Sequence, residues 1–446
     1  MIDLSPEIIT IIMFAAILLG VLTGYYIAAV VGAVSLIVGW LTLGSTITAG
    51  TIYMRVYNLA QSYSLLAVPL FVFMGLMLER SGVVERLYSA LYLWLGGFRG
   101  GLAIATMIVG TVMAACVGVI GASVTMLTLV ALPSMINRGY DKGLASASCA
   151  VGGTLGILIP PSIMLVIYGP MAELSVGKLF MGAFIPGFIL SILYSIYIAA
   201  RSLFQPKMAP AIPVEEREAV SFGKKTLLLA ISLGPVALII FSVLGVIFFG
   251  IAPPTEAASA GALTATLLVI AYRRFSWQLL KEVALQTLKV YCFIAFIGGT
   301  SFAFVGIFLN LGCGDVVARY IMAAPGGRWG AFGVIMFIVF LLGFFIDWIG
   351  ILFIIIPIIS PLAPALGFDP IWFAMMICIN LQTSFNTPPV APALFYVRGS
   401  APPELGVTMA DIIRGIFPFV GLMLIGLILC AVFPQLILWL PGMMIQ

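Results

Sequence analysis

The sequence predicts an all-α polytopic membrane protein built from two inverted repeats, each with a re-entrant hairpin and a broken helix. Three observations predict it. Of 446 residues, 63% are hydrophobic and 8% charged, at a mean hydropathy of +1.24. A water-soluble domain carries roughly a quarter charged residues, so so few charges cannot cover an aqueous surface. Apolar runs long enough to cross a bilayer recur along the chain, and a set of Gly, Pro and Asp positions returns at one fixed spacing. A soluble enzyme is excluded. The net charge of +4 comes from basic residues in short loops, which report orientation and not a nucleic-acid surface.

Taken in order, MIDLSPEIIT holds acidic residues and no basic ones before the first apolar run, so an uncleaved span is expected there and not a signal peptide. Crossings are expected at 6–23, 25–43, 64–80, 144–170, 180–201, 226–250, 255–271, 290–311, 371–397 and 412–435. Two runs, 101–135 and 329–366, are too long for one span of about 20 residues. Each has a break in its middle, VGVIGAS and FFIDWIG, and each is expected to enter and leave on one side. Segments 50–63 and 82–98 mix charged or aromatic residues with apolar ones and are placed at the interface.

Five Lys or Arg lie between Arg201 and Lys225 and four between Arg273 and Lys289. Two spans separate these loops, so both can be cytoplasmic, as the positive-inside rule prefers. Arg80, Arg86, Arg99, Arg138 and Lys142 then also lie inside, provided that 101–135 is the hairpin. Hairpins at 144–170 and 371–397 would instead put Arg138 and Lys142 outside. The division expected is 1–63, N-terminal scaffold spans; 64–201, first repeat; 202–289, cytoplasmic loops and two linking scaffold spans; 290–440, second repeat.

The repeat rests on Pro133, Gly139 and Asp141 recurring as Pro361, Gly367 and Asp369, with Pro160-Pro161 recurring as Pro388-Pro389, all at an offset of 228. GGFRGG at 96–101 returns as GGRWG at 326–330, and Gly75 as Gly306, at nearly the same offset. Three spans and a hairpin per copy, with two spans between, put equivalent elements five crossings apart. An odd number inverts the second copy, the arrangement found in secondary transporters.

Each copy is interrupted at two places: VGVIGAS with GGTLGILIPPS, and FFIDWIG with NLQTSFNTPP. Paired prolines remove donors and clash with the preceding turn, and Gly-Gly tolerates unusual dihedrals. Backbone groups freed at membrane depth must line a buried, ligand- or water-filled cavity. Helix N-termini there favour an anion, and carbonyls with hydroxyls suit a hard cation. The polar residues at these breaks are Ser123, Thr125 and Thr154 in the first copy, and Asp347, Thr383, Ser384, Asn386 and Thr387 in the second. Asp347 lies among Phe344, Phe345, Ile346 and Trp348, where an ionisable group is a functional candidate by default. The bland reading is a carboxylate capping a helix, and for the hydroxyls a bond back to their own helix.

One carboxylate among many neutral oxygens points to sodium, and the absence of His excludes a histidine relay. The six cysteines, Cys116, Cys149, Cys292, Cys313, Cys378 and Cys430, sit in apolar runs without a CxxC pair and read as packing residues. SFGKKT at 221–226 lacks the spacing of a phosphate-binding loop. No Ser-Lys, paired-Asp or metal-ligand constellation supports a membrane-embedded enzyme.

NRGYDKGLASASCAVGGTLGILIPPSIMLVIYG, SVGKLFMGAFIPGF, DWIGILFIIIPIISPLAPALGFDP and NLQTSFNTPPVAPALFYVRG resemble the large membrane (M, or DctM-type) subunit of tripartite ATP-independent periplasmic (TRAP) transporters. The resemblance covers nearly the whole chain. It implies a sodium-coupled importer of organic anions, typically carboxylates, working by an elevator motion in the ion transporter superfamily. It implies a multi-pass protein of a bacterial or archaeal cytoplasmic membrane. It also implies a small four-span membrane subunit and a periplasmic substrate-binding protein as partners, with Na+ as coupling ion and no organic cofactor. Carried onto this sequence, the sodium residues would be Ser123 and Asp347, with Gly152, Gly153, Thr154 and Thr387. Substrate would sit between the two tips, against Gly121, Thr125, Pro160, Pro161, Gly350, Ser384, Asn386 and Pro388. The first tip reads GVIGAS where many members show a Ser-Gly-Ser-Ser run. A self-sufficient ion-coupled carrier or antiporter without a binding protein is the alternative.

Overall fold

In the computed structural model the described residues are 4–118, 120–213, 220–388 and 391–444, and every regular element among them is helical. Pro389, the second proline of the later pair, lies outside the described residues, as do Val119 in the first tip and the side chain of Cys116. Among the described residues six helices are long and apolar enough to cross a membrane: Tyr63–Ser81, Val176–Phe204, Phe222–Phe248, Pro254–Ala271, Trp277–Asn310 and Met409–Val432. They fall on six of the ten runs expected to cross. The other four are two 17-residue helices at the N-terminus and the two interrupted helices.

The chain begins with α1 (Pro6–Leu22), α2 (Ile27–Leu43) and α3 (Ser45–Ala60). Next come α4 (Ala67–Ser81) and α5 (Val83–Leu95), joined by Gly82 at φ 77°, a left-handed turn that glycine adopts without steric cost. The first hairpin is α6 (Gly101–Val117) and α7 (Ile120–Ile136), which pack on each other and reverse at Gly118, φ 64°. The first interrupted helix is α8 (Lys142–Thr154) and α9 (Ile163–Met171), followed by the 29-residue α10 (Val176–Phe204). Two linking helices, α11 (Phe222–Phe248) and α12 (Pro254–Ala271), come next.

The order then recurs. The C-terminal part of α13 (Trp277–Asn310) is followed by α14 (Cys313–Met322), the hairpin of α15 (Gly327–Leu342) and α16 (Trp348–Ile359), the interrupted pair α17 (Pro370–Asn386) and α18 (Pro392–Ser400), and α19 (Met409–Val432). A short α20 (Gln435–Gly442) ends the chain. One difference from the expected span at 290–311 is that α13 starts at Trp277, with 34 residues. At 1.5 Å per residue it is about 51 Å long, well beyond a hydrocarbon core of about 30 Å. Its first four turns carry Lys281, Glu282 and Lys289, which suits the aqueous boundary.

The recurring Gly and Asp have local causes. Gly139 and Gly367 turn the chain at φ 80° and 73°. Asp141 then accepts the backbone N–H of Leu144 at 2.9 Å, and Asp369 those of Ile371 and Trp372 at 2.8 and 3.1 Å. Each carboxylate satisfies donors that the first helical turn leaves open, so these residues are turns and caps.

Packing between the two segments expected to be copies is reciprocal. α7 packs on α18 and α16 on α9; α10 packs on α17 and α19 on α8; α8 meets α17 and α10 meets α19. Each contact outside the last two maps onto its partner when the copies are exchanged, as around a two-fold axis. α4 lies along α12, α5 along α11, and α13 along α2 and α3.

Candidate functional site

At the first interruption the helix does not break at the glycine pair. Gly152 and Gly153 are in the last turn of α8, which stays helical to Thr154 before a 3-10 turn at Leu155–Ile157. The expectation that Gly-Gly itself frees the backbone is corrected by what touches them. A Cβ on Gly153 would come within 2.7 Å of the Val124 Cα and N, and one on Gly110 of α6 within 2.7 Å of the Gly152 carbonyl oxygen. The missing side chains let α8 lie directly on both arms of the hairpin. Pro160 and Pro161 follow, buried, and Gly118 at the tip lies against the Pro161 carbonyl and Ile163.

The second interruption is also later than expected. NLQTSFN is helical throughout, and the chain leaves the helix only at Thr387, re-entering at Pro392 after Ala391 at φ 39°. Ser384 donates to the Leu381 carbonyl at 2.8 Å, and its hydroxyl abuts Gly343 at the end of α15, where a Cβ would collide with it. Thr383 and Thr387 likewise donate to their own helix, at 3.2 and 2.7 Å, the bland behaviour expected of such hydroxyls. Their lone pairs stay available, because a hydroxyl oxygen can accept as well as donate.

The two interruptions meet. Asn386 Nδ2 donates to Thr154 Oγ1 at 3.1 Å across 232 residues of sequence, and to the Gln382 carbonyl at 2.9 Å. Around this bond Ser123 Oγ, Asn386 Oδ1 and both polar atoms of Gln382 are buried and without a hydrogen-bond partner in the protein. Ser123 lies across from Gly156, on the first interruption. A buried polar atom left unpaired costs about 1–3 kcal/mol, so several together mark a place where a ligand completes the bonding. Three of them are neutral oxygens, the donor type a hard cation takes. Ser123, Thr154 and Asn386 thus fit a sodium ion by chemistry.

Asp347 holds the N-cap position of α16 with φ −61° and ψ 150°, half-buried, and its carbonyl accepts from Ile351 N at 3.1 Å. Its carboxylate is in electrostatic range of Tyr396 on α18. The Tyr396 ring in turn packs on Gly121, where a Cβ would be 3.2 Å away, and Ser400 donates to Thr125 Oγ1 at 3.1 Å. α18 therefore links the second tip to the first. Beside it is a cavity of about 290 Å³ lined by Gly121, Thr125, Glu79, Gln286, Val290 and Tyr396. Gly350 is placed elsewhere: a Cβ there would meet Ile27 of α2 at 2.8 Å, so it serves close packing on the N-terminal helices and does not join the gathered tips. Pro388 is half-buried beside Thr387.

Sequence reasoning missed Gln382, Gly343, Glu79, Gln286 and Tyr396. Gln382 had a signal, since it stands 228 residues after Thr154. Glu79 and Gln286 had none, because only packing brings α4 and α13 to the first tip.

The family described as "Tripartite ATP-independent periplasmic transporter, DctM component" matches residues 10–436. The C4-dicarboxylate TRAP transporter large permease protein DctM of Pseudomonas aeruginosa is 31% identical over 392 residues, covering 87% of this chain and 88% of that protein. The ectoine TRAP transporter large permease protein TeaC of Halomonas elongata is 27% identical, covering 84% and 86%. Among solved structures, the YdaH transporter of Alcanivorax borkumensis superposes with a TM-score of 0.66 at 14% identity, over 94% of this chain and 98% of that one. That likeness establishes the fold.

Proposed function

The chain belongs to the DctM component family of TRAP transporters, as a multi-pass membrane permease and not an enzyme, and we propose that it imports a small organic anion coupled to sodium. The observation that carries this reading is the contact of two interrupted helices, Asn386 on Thr154, ringed by buried oxygens that lack protein partners. Ser123, Thr154 and Asn386 would hold the ion, with Asp347 supplying a negative charge at the second tip. The N-termini of α9 and α18 open at the same interruptions, and helix N-termini favour anions. The substrates named for the relatives, C4-dicarboxylates and ectoine, share a carboxylate, which supports that class here.

The two copies form the moving part and α1, α2, α11 and α12 the frame against which it slides, an elevator. Support comes from the reciprocal packing of the copies together with the odd number of crossings between equivalent elements, which makes the second copy inverted. Sodium in the tips orders them and favours anion binding; the ion-loaded state then shifts the inward and outward populations. A four-span membrane subunit and a periplasmic binding protein complete the system.

Uptake is measured in proteoliposomes holding all three components. A sodium gradient is expected to drive it, and equal uptake with a proton gradient alone rejects the coupling. Asp347→Ala keeping full sodium dependence removes that carboxylate from the site. Unchanged uptake without the binding protein favours a self-sufficient carrier.

A further inference from the structure

Away from the tips, a cavity of about 360 Å³ opens between α5 and α11. Two guanidinium groups from distant parts of the chain reach it, Arg86 on α5 and Arg274 just before α13. Arg86 is stacked on the Tyr272 ring, 4.3 Å from its centroid, and a stacked guanidinium is held in orientation with its edge donors free. Arg274 lies on the backbone at Gly82, where any Cβ would collide with its guanidinium. Neither forms an ion pair among the described residues, although Glu85 sits on the exposed rim. The opposite wall is aliphatic, with Leu228 and Ile231, the latter 58% exposed.

Two arginines without an ion pair among the described residues at one end and an outward-facing apolar wall at the other form an amphipathic groove. The positive-inside frame puts its basic end at the cytoplasmic surface, where anionic lipid headgroups gather. We propose that this groove binds one anionic phospholipid, its phosphate between Arg86 and Arg274 and an acyl chain along Leu228 and Ile231. Guanidinium groups suit phosphate oxygens by paired N–H bonds. A free phosphate would use the arginines but leave the aliphatic wall bare, so the lipid is the occupant the groove as a whole fits. Because α5 belongs to the first copy and α11 to the linking helices, the lipid would join the two.

Thermal unfolding of the full chain in neutral detergent is followed while phosphatidylglycerol, phosphatidylcholine or inorganic phosphate is added. Phosphatidylglycerol alone is expected to raise Tm saturably. In Arg86→Gln/Arg274→Gln its apparent affinity is expected to fall at least tenfold, while Arg273→Gln, outside the groove, matches the wild type. Ile231→Trp keeps both arginines and fills the aliphatic end, and the same loss is expected there. Undiminished affinity in either groove variant, or an equal Tm rise from inorganic phosphate or phosphatidylcholine, overturns the proposal.

Discussion

At the scale of single residues, the bond from Asn386 to Thr154 and the glycines beside it do different work. Interhelical hydrogen bonds in membrane proteins average about 0.6 kcal/mol, so Asn386→Leu is expected to lower Tm by only a few degrees. Uptake per folded molecule is expected to drop at least tenfold, because the substitution also deletes a buried oxygen that has no protein partner. Size-exclusion chromatography with the proteoliposome assay checks this; wild-type uptake would place the asparagine outside the machinery. Gly153→Ala acts through contact: its Cβ meets Val124 backbone at 2.7 Å, which cannot rotate aside. Overpacking of this kind costs about 1–3 kcal/mol, seen as a clear fall in Tm. Gly299→Ala, with nothing within 4 Å of the new Cβ, is the neutral comparison.

At the scale of helices, the start of α8 and of α17 depends on one carboxylate each. Asp141→Ala and Asp369→Ala are each expected to cost about 1 kcal/mol, the usual value of an N-cap, with similar Tm shifts and little change in uptake per folded molecule. The recurring Gly and Asp were legible in the sequence as positions, but their cap role shows only in the bonds that each Asp accepts. The interruptions were legible as places but not in detail. A Gly-Gly pair reads as a helix breaker when only its neighbours in sequence are known, yet Gly152 and Gly153 remain helical and serve contact with Gly110 and Val124. Gly350 was read toward the tips and packs on Ile27 instead, a partner over 300 residues away in the chain.

At the scale of the whole molecule, inversion makes a directional prediction. Asn137 and Ala365 are equivalent by the 228-residue offset and both exposed. In a Cys292→Ser background, which removes the one exposed cysteine among the described residues, Asn137→Cys is expected to react with an impermeant maleimide only from the cytoplasmic side and Ala365→Cys only from outside. Labelling of both from one side refutes inversion. Composition and the length of the apolar runs made the helical membrane class readable. The cavity walls from α4 and α13 were not, because nothing in linear order marks Glu79 and Gln286 as neighbours of Thr125. In the exchange of contacts, with α7 on α18 and α16 on α9, each hairpin's returning arm is packed on the interrupted helix of the other half, so a change in one half is compensated most directly in the other.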